Sequence, residues 1–132
     1  MISEELRKKV GQMMMCGFPS TVLDDQVRKL VDDFYVGNFI YFSRNCDTAG
    51  QTASLSADIS HLVYDKLGIA PLISIDQEGG AVSRLVEGAA LMSGASAVSG
   101  AVTELTPENV ERVRQLGRIC GRVLRSGGIN LN

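Results

Sequence analysis

Short apolar segments and amphipathic segments alternate along the 132 residues, and this alternation limits the fold more than any other feature of the sequence. The apolar segments lie at residues 12–18, 38–43, 71–76 and 129–132. The first three are almost continuously apolar, which is typical of strands covered on both faces. Strands separated by helices pair in parallel through right-handed crossovers, so the sequence predicts a parallel α/β sheet.

The segments between these strands have the marks of helices. Ser3 can cap the first helix, and Thr106 followed by Pro107 is a strong start for the last. Gly68 and the glycines at 127–128 are predicted to end helices. The predicted helices cover residues 4–9, 22–34, from 48 or 51 to 67, and from 107 to 126. Residues 86–105, rich in Gly, Ala and Ser, are predicted to form a surface loop with at most one short helical turn.

Two architectures fit this order of elements: a small doubly wound sheet, or a piece of a (β/α)8 barrel. A complete barrel needs about 200 residues or more. A last strand at residues 129–132 with no helix after it favours a piece of a barrel. We therefore predict one partial barrel domain over residues 1–132, the N-terminal half of a (β/α)8 barrel with about four parallel strands. Two open sheet edges would make such a chain a homo-oligomer, unless a C-terminal half covers them.

Composition excludes several classes of function. The net charge is −2, the pI is about 5.3 and no basic run is present, so a nucleic-acid partner is not expected. No apolar stretch approaches the ~20 residues of a membrane span, and the N-terminus lacks the pattern of a secretory signal, so we expect a cytoplasmic protein. Cys16, Cys46 and Cys120 have no metal-ligand spacing and are interpreted as small buried apolar residues. The single histidine, His61, is predicted to face solvent on a helix.

The third apolar segment ends in an unusual way, as "PLISIDQEGGAVSRL". Ligands of parallel α/β proteins meet the carboxyl ends of the strands, which is where Asp76 lies. Gly79 and Gly80 allow a ligand to come close, and Arg84 can fold back towards the same pocket. A carboxylate and a guanidinium together suit a polyhydroxylated ligand such as a sugar.

Two other interpretations of this segment remain open. Asp76 and Glu78 could be helix caps or loop acids, with Arg84 paired to one of them. A glycine-rich phosphate loop is the second, and it would make the chain a small nucleotide-binding domain. The segment has neither G-x-G-x-x-G nor a GK[ST] ending, so the phosphate-loop signal is weak.

The chain contains four stretches in the order "KVGQMMMCGF", "VGNFIYFSRN", "PLISIDQEGGAVSRL" and "GINLN". Their order and spacing resemble those of the N-terminal domain of glycoside hydrolase family 3, in its β-N-acetylhexosaminidase (β-N-acetylglucosaminidase) branch. The resemblance implies a (β/α)8 barrel without metal or organic cofactor. It implies hydrolysis of terminal N-acetylglucosamine from cell-wall or chitin-like saccharides, by a retaining mechanism with a covalent glycosyl-enzyme intermediate. It also implies that Asp76 holds sugar hydroxyls in the subsite of the cleaved residue and that Arg84 helps to orient the sugar.

The chain departs from the family pattern in two respects. Ala81 stands where relatives often carry arginine. The family's Lys-His segment, its acid/base histidine and its nucleophilic aspartate all follow the "GINLN" motif, beyond Asn132. A retaining glycosidase with two carboxylates needs them about 5–5.5 Å apart, and neither Asp76 nor His61 inherits such a role. We therefore expect no catalytic residue here and an inactive chain when alone; the alternative is a non-catalytic half-barrel that binds sugar or another protein.

Overall fold

Strands and helices alternate in residues 2–85 and 94–132, the part of the chain that the computed structural model describes. In that part there are three strands and five α-helices. They are α1 (Glu4–Gln12), β1 (Met15–Cys16), α2 (Asp25–Phe34), β2 (Asn38–Tyr41), α3 (Ala49–Leu67), β3 (Ile73–Ile75), α4 (Ala95–Ala101) and α5 (Pro107–Ser126), with a 3-10 turn at Ser43–Asn45.

The sheet is parallel and its strands follow the order of the chain, β1-β2-β3. Leu131 continues this order, because it forms a parallel bridge with Ser74 of β3. Doubly wound sheets reverse their strand order at a switch point, whereas a barrel adds each strand beside the previous one. Helices α2 and α3 pack against each other, as successive helices do on the outside of a barrel. The barrel alternative is therefore correct and the doubly wound sheet is wrong.

Side-chain caps explain where the helices begin. Ser3, Asp24, Thr48 and Thr106 each accept a hydrogen bond from a backbone N–H in the first turn of α1, α2, α3 and α5 respectively. The predicted caps at Ser3 and Thr106 are confirmed. Gly68 ends α3 with a φ of 70°, as its position in the sequence predicts.

The core lies between the sheet and the outer helices. Phe18 packs edge-on against Phe39 and Tyr41, with ring centroids 5.9 Å apart in both pairs. Burial raises the pKa of the Tyr41 phenol to about 12, so its hydroxyl stays protonated. The Tyr41 hydroxyl lies 3.1 Å from Ser56 Oγ, which donates to the carbonyl of Gly127 at 2.6 Å. This chain of bonds joins β2, α3 and the end of α5.

The predicted first strand is wrong over most of its length. Helix α1 continues to Gln12, and β1 contains only Met15–Cys16. Met13 and Met14, which were expected to be buried, expose 85% and 49% of their surface. The reason is position, because Met13 caps the end of α1 and both residues lie in the turn before β1. Their N–H groups bond to the carbonyls of Val10 and Gly11, so this stretch closes the helix rather than joining the sheet.

Burial of the strands also differs from the prediction that both faces are covered. All three residues of β3 are buried, but in β2 the buried Phe39 and Tyr41 alternate with the half-buried Asn38 and Ile40. The face of β2 that points away from the helices is therefore only partly covered. In a closed barrel this is the face that packs against the opposite strands.

Three further predictions concern single segments. The predicted loop at 86–105 contains α4, a helix of seven residues rather than one turn, while residues 86–93 lie outside the described residues. His61 is exposed, as predicted. Cys120 is buried, but Cys16 and Cys46 are only half-buried, and all three are free thiols. Over the described residues, no helix is long and apolar enough to cross a membrane.

Candidate functional site

Three loops follow the strands at the carboxyl edge of the sheet, and a buried asparagine joins the first two. Asn45 donates from Nδ2 to the carbonyls of Phe18 (3.0 Å) and Ser20 (2.7 Å), which lie in the loop after β1. Its Oδ1 accepts from the N–H of Phe42 (2.9 Å) in the loop after β2. Arg44 also donates from Nε to Phe18 O (2.9 Å). These bonds fix the surface from which a ligand would approach.

Asp76 occupies the place that the sequence predicts, directly after β3. Its side chain is exposed and makes no hydrogen bond or ion pair with the other described residues. The carboxylate is thus attached to a rigid strand but is not used by the fold. Such a group can accept hydrogen bonds from a ligand without first losing a partner in the protein.

Gln77, the next residue, was not identified from the sequence, and the structure makes it the centre of the third loop. Only 3% of its surface is exposed. Its Oε1 accepts from the backbone N–H groups of Arg84 (2.7 Å) and Leu85 (3.1 Å). Its Nε2 donates to Ser83 Oγ at 3.1 Å and lies 3.5 Å from the carbonyl of Leu85. One side chain therefore holds the segment that returns from the double glycine.

The double glycine itself forms a tight turn. Gly79 and Gly80 have φ values of 83° and 57°, which residues other than glycine rarely adopt. The N–H groups of Glu78 and Gly79 both donate to the carbonyl of Val82, at 2.9 and 3.1 Å. A cavity of about 360 Å³ lies between this turn and the start of α4 at Gly94. The positive φ values use the conformational freedom expected of these glycines, and the close approach of a ligand stays a prediction.

Arg84 is half-buried, and its backbone N–H donates to Gln77, whereas its guanidinium has no bond to the residues that the structure describes. Its Nε is buried without a hydrogen-bond partner among the described residues. Within those residues Arg84 forms no ion pair with Asp76 or Glu78, so the interpretation that it merely neutralises one of these acids finds no support there. A buried donor without an acceptor is unusual in folded proteins and marks a group that another molecule or segment can satisfy.

Asn132 is a second residue whose role the sequence did not reveal. Its Oδ1 accepts from the backbone N–H of Gln77 (2.8 Å), and its Nδ2 donates to the carbonyl of Gln77 (3.2 Å). Asn130 forms a similar pair of bonds with the N–H of Ile73 (2.9 Å) and the carbonyl of Pro71 (2.9 Å). These side-chain bonds add to the backbone bonds that Asn130 and Leu131 form with Ile73 and Ile75 of β3.

The model for the glycosyl hydrolase family 3 N-terminal domain matches residues 5–132. The chain belongs to this family. It is 34% identical over 117 residues to a beta-hexosaminidase of Thiobacillus denitrificans, covering 89% of this chain and 30% of that protein. It is 28% identical over 132 residues to a beta-hexosaminidase of Hydrogenovibrio crunogenus, covering 96% of this chain and 36% of that one. The chain thus spans about a third of the length of these curated relatives.

Solved structures of glycosyl hydrolase family 3 have the same fold. A β-N-acetylglucosaminidase of this family from Paenibacillus superposes with a TM-score of 0.85 at 37% identity, covering 98% of this chain and 23% of that one. NagZ from Neisseria gonorrhoeae superposes with a TM-score of 0.76 at 28% identity, covering 90% of this chain and 34% of that one. The predicted fold class, the first part of a (β/α)8 barrel, is therefore confirmed.

The described residues offer no set of side chains typical of a metal site. Residues 2–85 and 94–132 contain no group of three or more His, Cys, Asp or Glu side chains arranged to hold a metal ion. Burial raises the pKa of both the Cys46 and Cys120 thiols, which disfavours the thiolate form that binds metals. The chemistry of the described site is therefore that of carboxylate, guanidinium and amide groups.

Proposed function

We propose that this chain supplies the sugar-holding corner of a glycoside hydrolase of the β-N-acetylhexosaminidase type. The observation that carries the proposal is the exposed Asp76 carboxylate at the carboxyl end of β3, which has no partner among residues 2–85 and 94–132. A loop connects Asp76 to Arg84, and the backbone N–H of Arg84 donates to Gln77, the residue next to Asp76. Membership of family 3, and relatives named beta-hexosaminidase, support an amino sugar as the proposed ligand.

The two groups differ in what they offer the sugar. The carboxylate of Asp76 accepts hydrogen bonds from hydroxyl groups, and the guanidinium of Arg84 donates them to hydroxyl or carbonyl oxygens. Charge-assisted bonds of this kind are the stronger ones and fix the orientation of a ring. In the proposed enzyme these residues hold the terminal N-acetylglucosamine of cell-wall or chitin-like saccharides, in the cytoplasm. The bond is cleaved by a retaining mechanism whose nucleophile and acid/base come from other parts of the barrel.

Titration of the 132-residue protein with N-acetylglucosamine tests the proposed ligand. We expect backbone amide signals of residues 76–85 to shift in a saturable way, and Asp76→Ala to abolish the shifts. Asp58→Ala, which removes an exposed carboxylate on α3, should leave them unchanged. ADP should not perturb the same signals. Saturable shifts with ADP but not with the amino sugar would instead support the nucleotide-binding interpretation.

A non-catalytic, self-associating half-barrel is the second candidate, and the sheet edges favour it. Within the described residues β1 pairs only with β2, and the sheet ends on the other side at the single bridge of Leu131. Met14 lines an apolar cavity of about 330 Å³ at the β1 edge together with Val10 and Phe34. Unpaired strands next to exposed apolar side chains are association sites.

The isolated chain is therefore expected to be a dimer or larger at micromolar concentration. If two copies pair through these edges, the interface should exceed about 2,000 Å² in total, as in obligate dimers. Sedimentation velocity measures the state directly. Met14→Glu, which places a charge at the β1 edge, should shift the protein towards monomer, whereas Leu105→Glu, at a side chain that is 91% exposed elsewhere, should not. A cooperatively folded monomer would show that these edges do not drive association.

A further inference from the structure

The side-chain amide of Gln77 positions residues 83–85 through hydrogen bonds. Two backbone N–H groups, of Arg84 and Leu85, converge on its Oε1, and backbone N–H groups can only donate. This fixes the orientation of the amide, with oxygen towards the two N–H groups and Nε2 towards Ser83 Oγ and Leu85 O. The position of the Arg84 backbone therefore depends on a side chain that lies seven residues earlier.

Gln77 is also the direct neighbour of Asp76, and the two side chains have opposite surroundings. Asp76 is exposed, whereas Gln77 is buried. Successive side chains of an extended strand point to opposite faces, so Asp76 points to solvent while Gln77 points into the protein. The backbone of Gln77 is held in turn by both amide atoms of Asn132. Any shift of Gln77 would consequently move the Asp76 carboxylate and the Arg84 backbone together.

We propose that Gln77 is the positioning residue of the sugar site: it sets Arg84 relative to Asp76 without itself touching the sugar. This inference rests on the proposed function, because it takes the amino sugar as the ligand of the two charged groups. The guanidinium of the half-buried Arg84 is the group whose placement matters most. A guanidinium donates in a rigid planar fork, so its bonds to a sugar depend strongly on where its backbone is held.

Gln77→Met tests the proposal, because methionine has a similar length but no amide. Loss of the acceptor should speed hydrogen exchange at the backbone amides of Arg84 and Leu85 by at least about tenfold. The affinity for N-acetylglucosamine, measured by NMR titration, should fall by roughly the same factor. The same substitution at the exposed Gln115 of α5 should change neither quantity. Unchanged exchange at Arg84 and Leu85, or faster exchange with unchanged sugar affinity, would overturn the proposal.

Gln77→Glu separates positioning from the filling of space. Glutamate keeps the acceptor for both N–H groups, so protection and sugar affinity should stay closer to wild type in Gln77→Glu than in Gln77→Met. A residue that only fills a buried volume would give the reverse order, because methionine buries no charge. The ranking of the two variants in protection and sugar affinity can be measured even if Gln77→Met is partly unfolded. If wild-type protein binds no amino sugar, the proposed function fails, while the exchange measurements still decide whether Gln77 holds Arg84.

Discussion

Replacement of Asp76 by alanine is expected to lower kcat/KM of the proposed β-N-acetylhexosaminidase by about ten- to over a hundredfold while leaving its thermal unfolding unchanged. A hydrogen bond from a sugar hydroxyl to a carboxylate contributes roughly 1.5–3 kcal/mol, and each 1.4 kcal/mol realised in the transition state changes the rate tenfold. The fold should tolerate the change, because the Asp76 side chain is exposed and bonds to no other described residue.

The matched control is Glu78→Ala, which removes an equally exposed carboxylate two residues away. A general effect of negative charge near the site would lower kcat/KM in both variants, whereas a specific contact lowers it only at Asp76. The proposed role of Asp76 is wrong if its alanine variant keeps wild-type kcat/KM, or if it loses activity only together with its folded structure.

The 132-residue chain by itself is expected to release no chromophore from an N-acetylglucosaminide above the uncatalysed rate. Retaining hydrolysis requires a nucleophile and a proton donor on opposite sides of the bond. The proposed site offers a carboxylate and a guanidinium, which can bind a sugar but do not form that pair. The full-length gene product, assayed beside it, is the positive control if its sequence continues past Asn132.

If the pure chain did hydrolyse the substrate, the Asp76→Ala variant would show where the activity comes from. Activity that disappears in Asp76→Ala would mean that this carboxylate takes part in bond cleavage, contrary to our assignment. Activity that survives the substitution would point to a contaminating glycosidase. The absence of turnover together with saturable binding of N-acetylglucosamine is the combination that the proposal predicts.

Local rules were enough to predict most of the framework. The caps at Ser3 and Thr106 and the glycine at 68 mark helix ends through bonds within one turn, so the sequence near each end contains all the information. The position of Asp76 could also be predicted, because it follows from the end of a strand and the general geometry of parallel sheets. Its role as a ligand of the sugar stays a prediction.

Features that depend on distant partners could not be predicted in this way. Met13 and Met14 look like part of a buried strand, but α1 continues to Gln12, with Gly11 close against the backbone of Phe34 and Tyr35, and leaves them in the turn before β1. Gln77 lies between two acidic residues, and the charged residues of this motif are the obvious candidates for a site. The role of Gln77 depends on residues 83–85, which fold back and bond to its side chain. The burial of Gln77 agrees with alternation along an extended chain, since the neighbouring Asp76 is exposed.

The bonds between Asn132 and Gln77 have a consequence for biosynthesis. The two residues are 55 positions apart in the chain. At translation rates of about 5–20 residues per second, roughly 3–11 s pass between the addition of Gln77 and that of Asn132. Until Asn132 has been added, the N–H and C=O of Gln77 lack these two bonds, so the proposed sugar-holding corner is completed only after the segments that form β2 and α3 have been made.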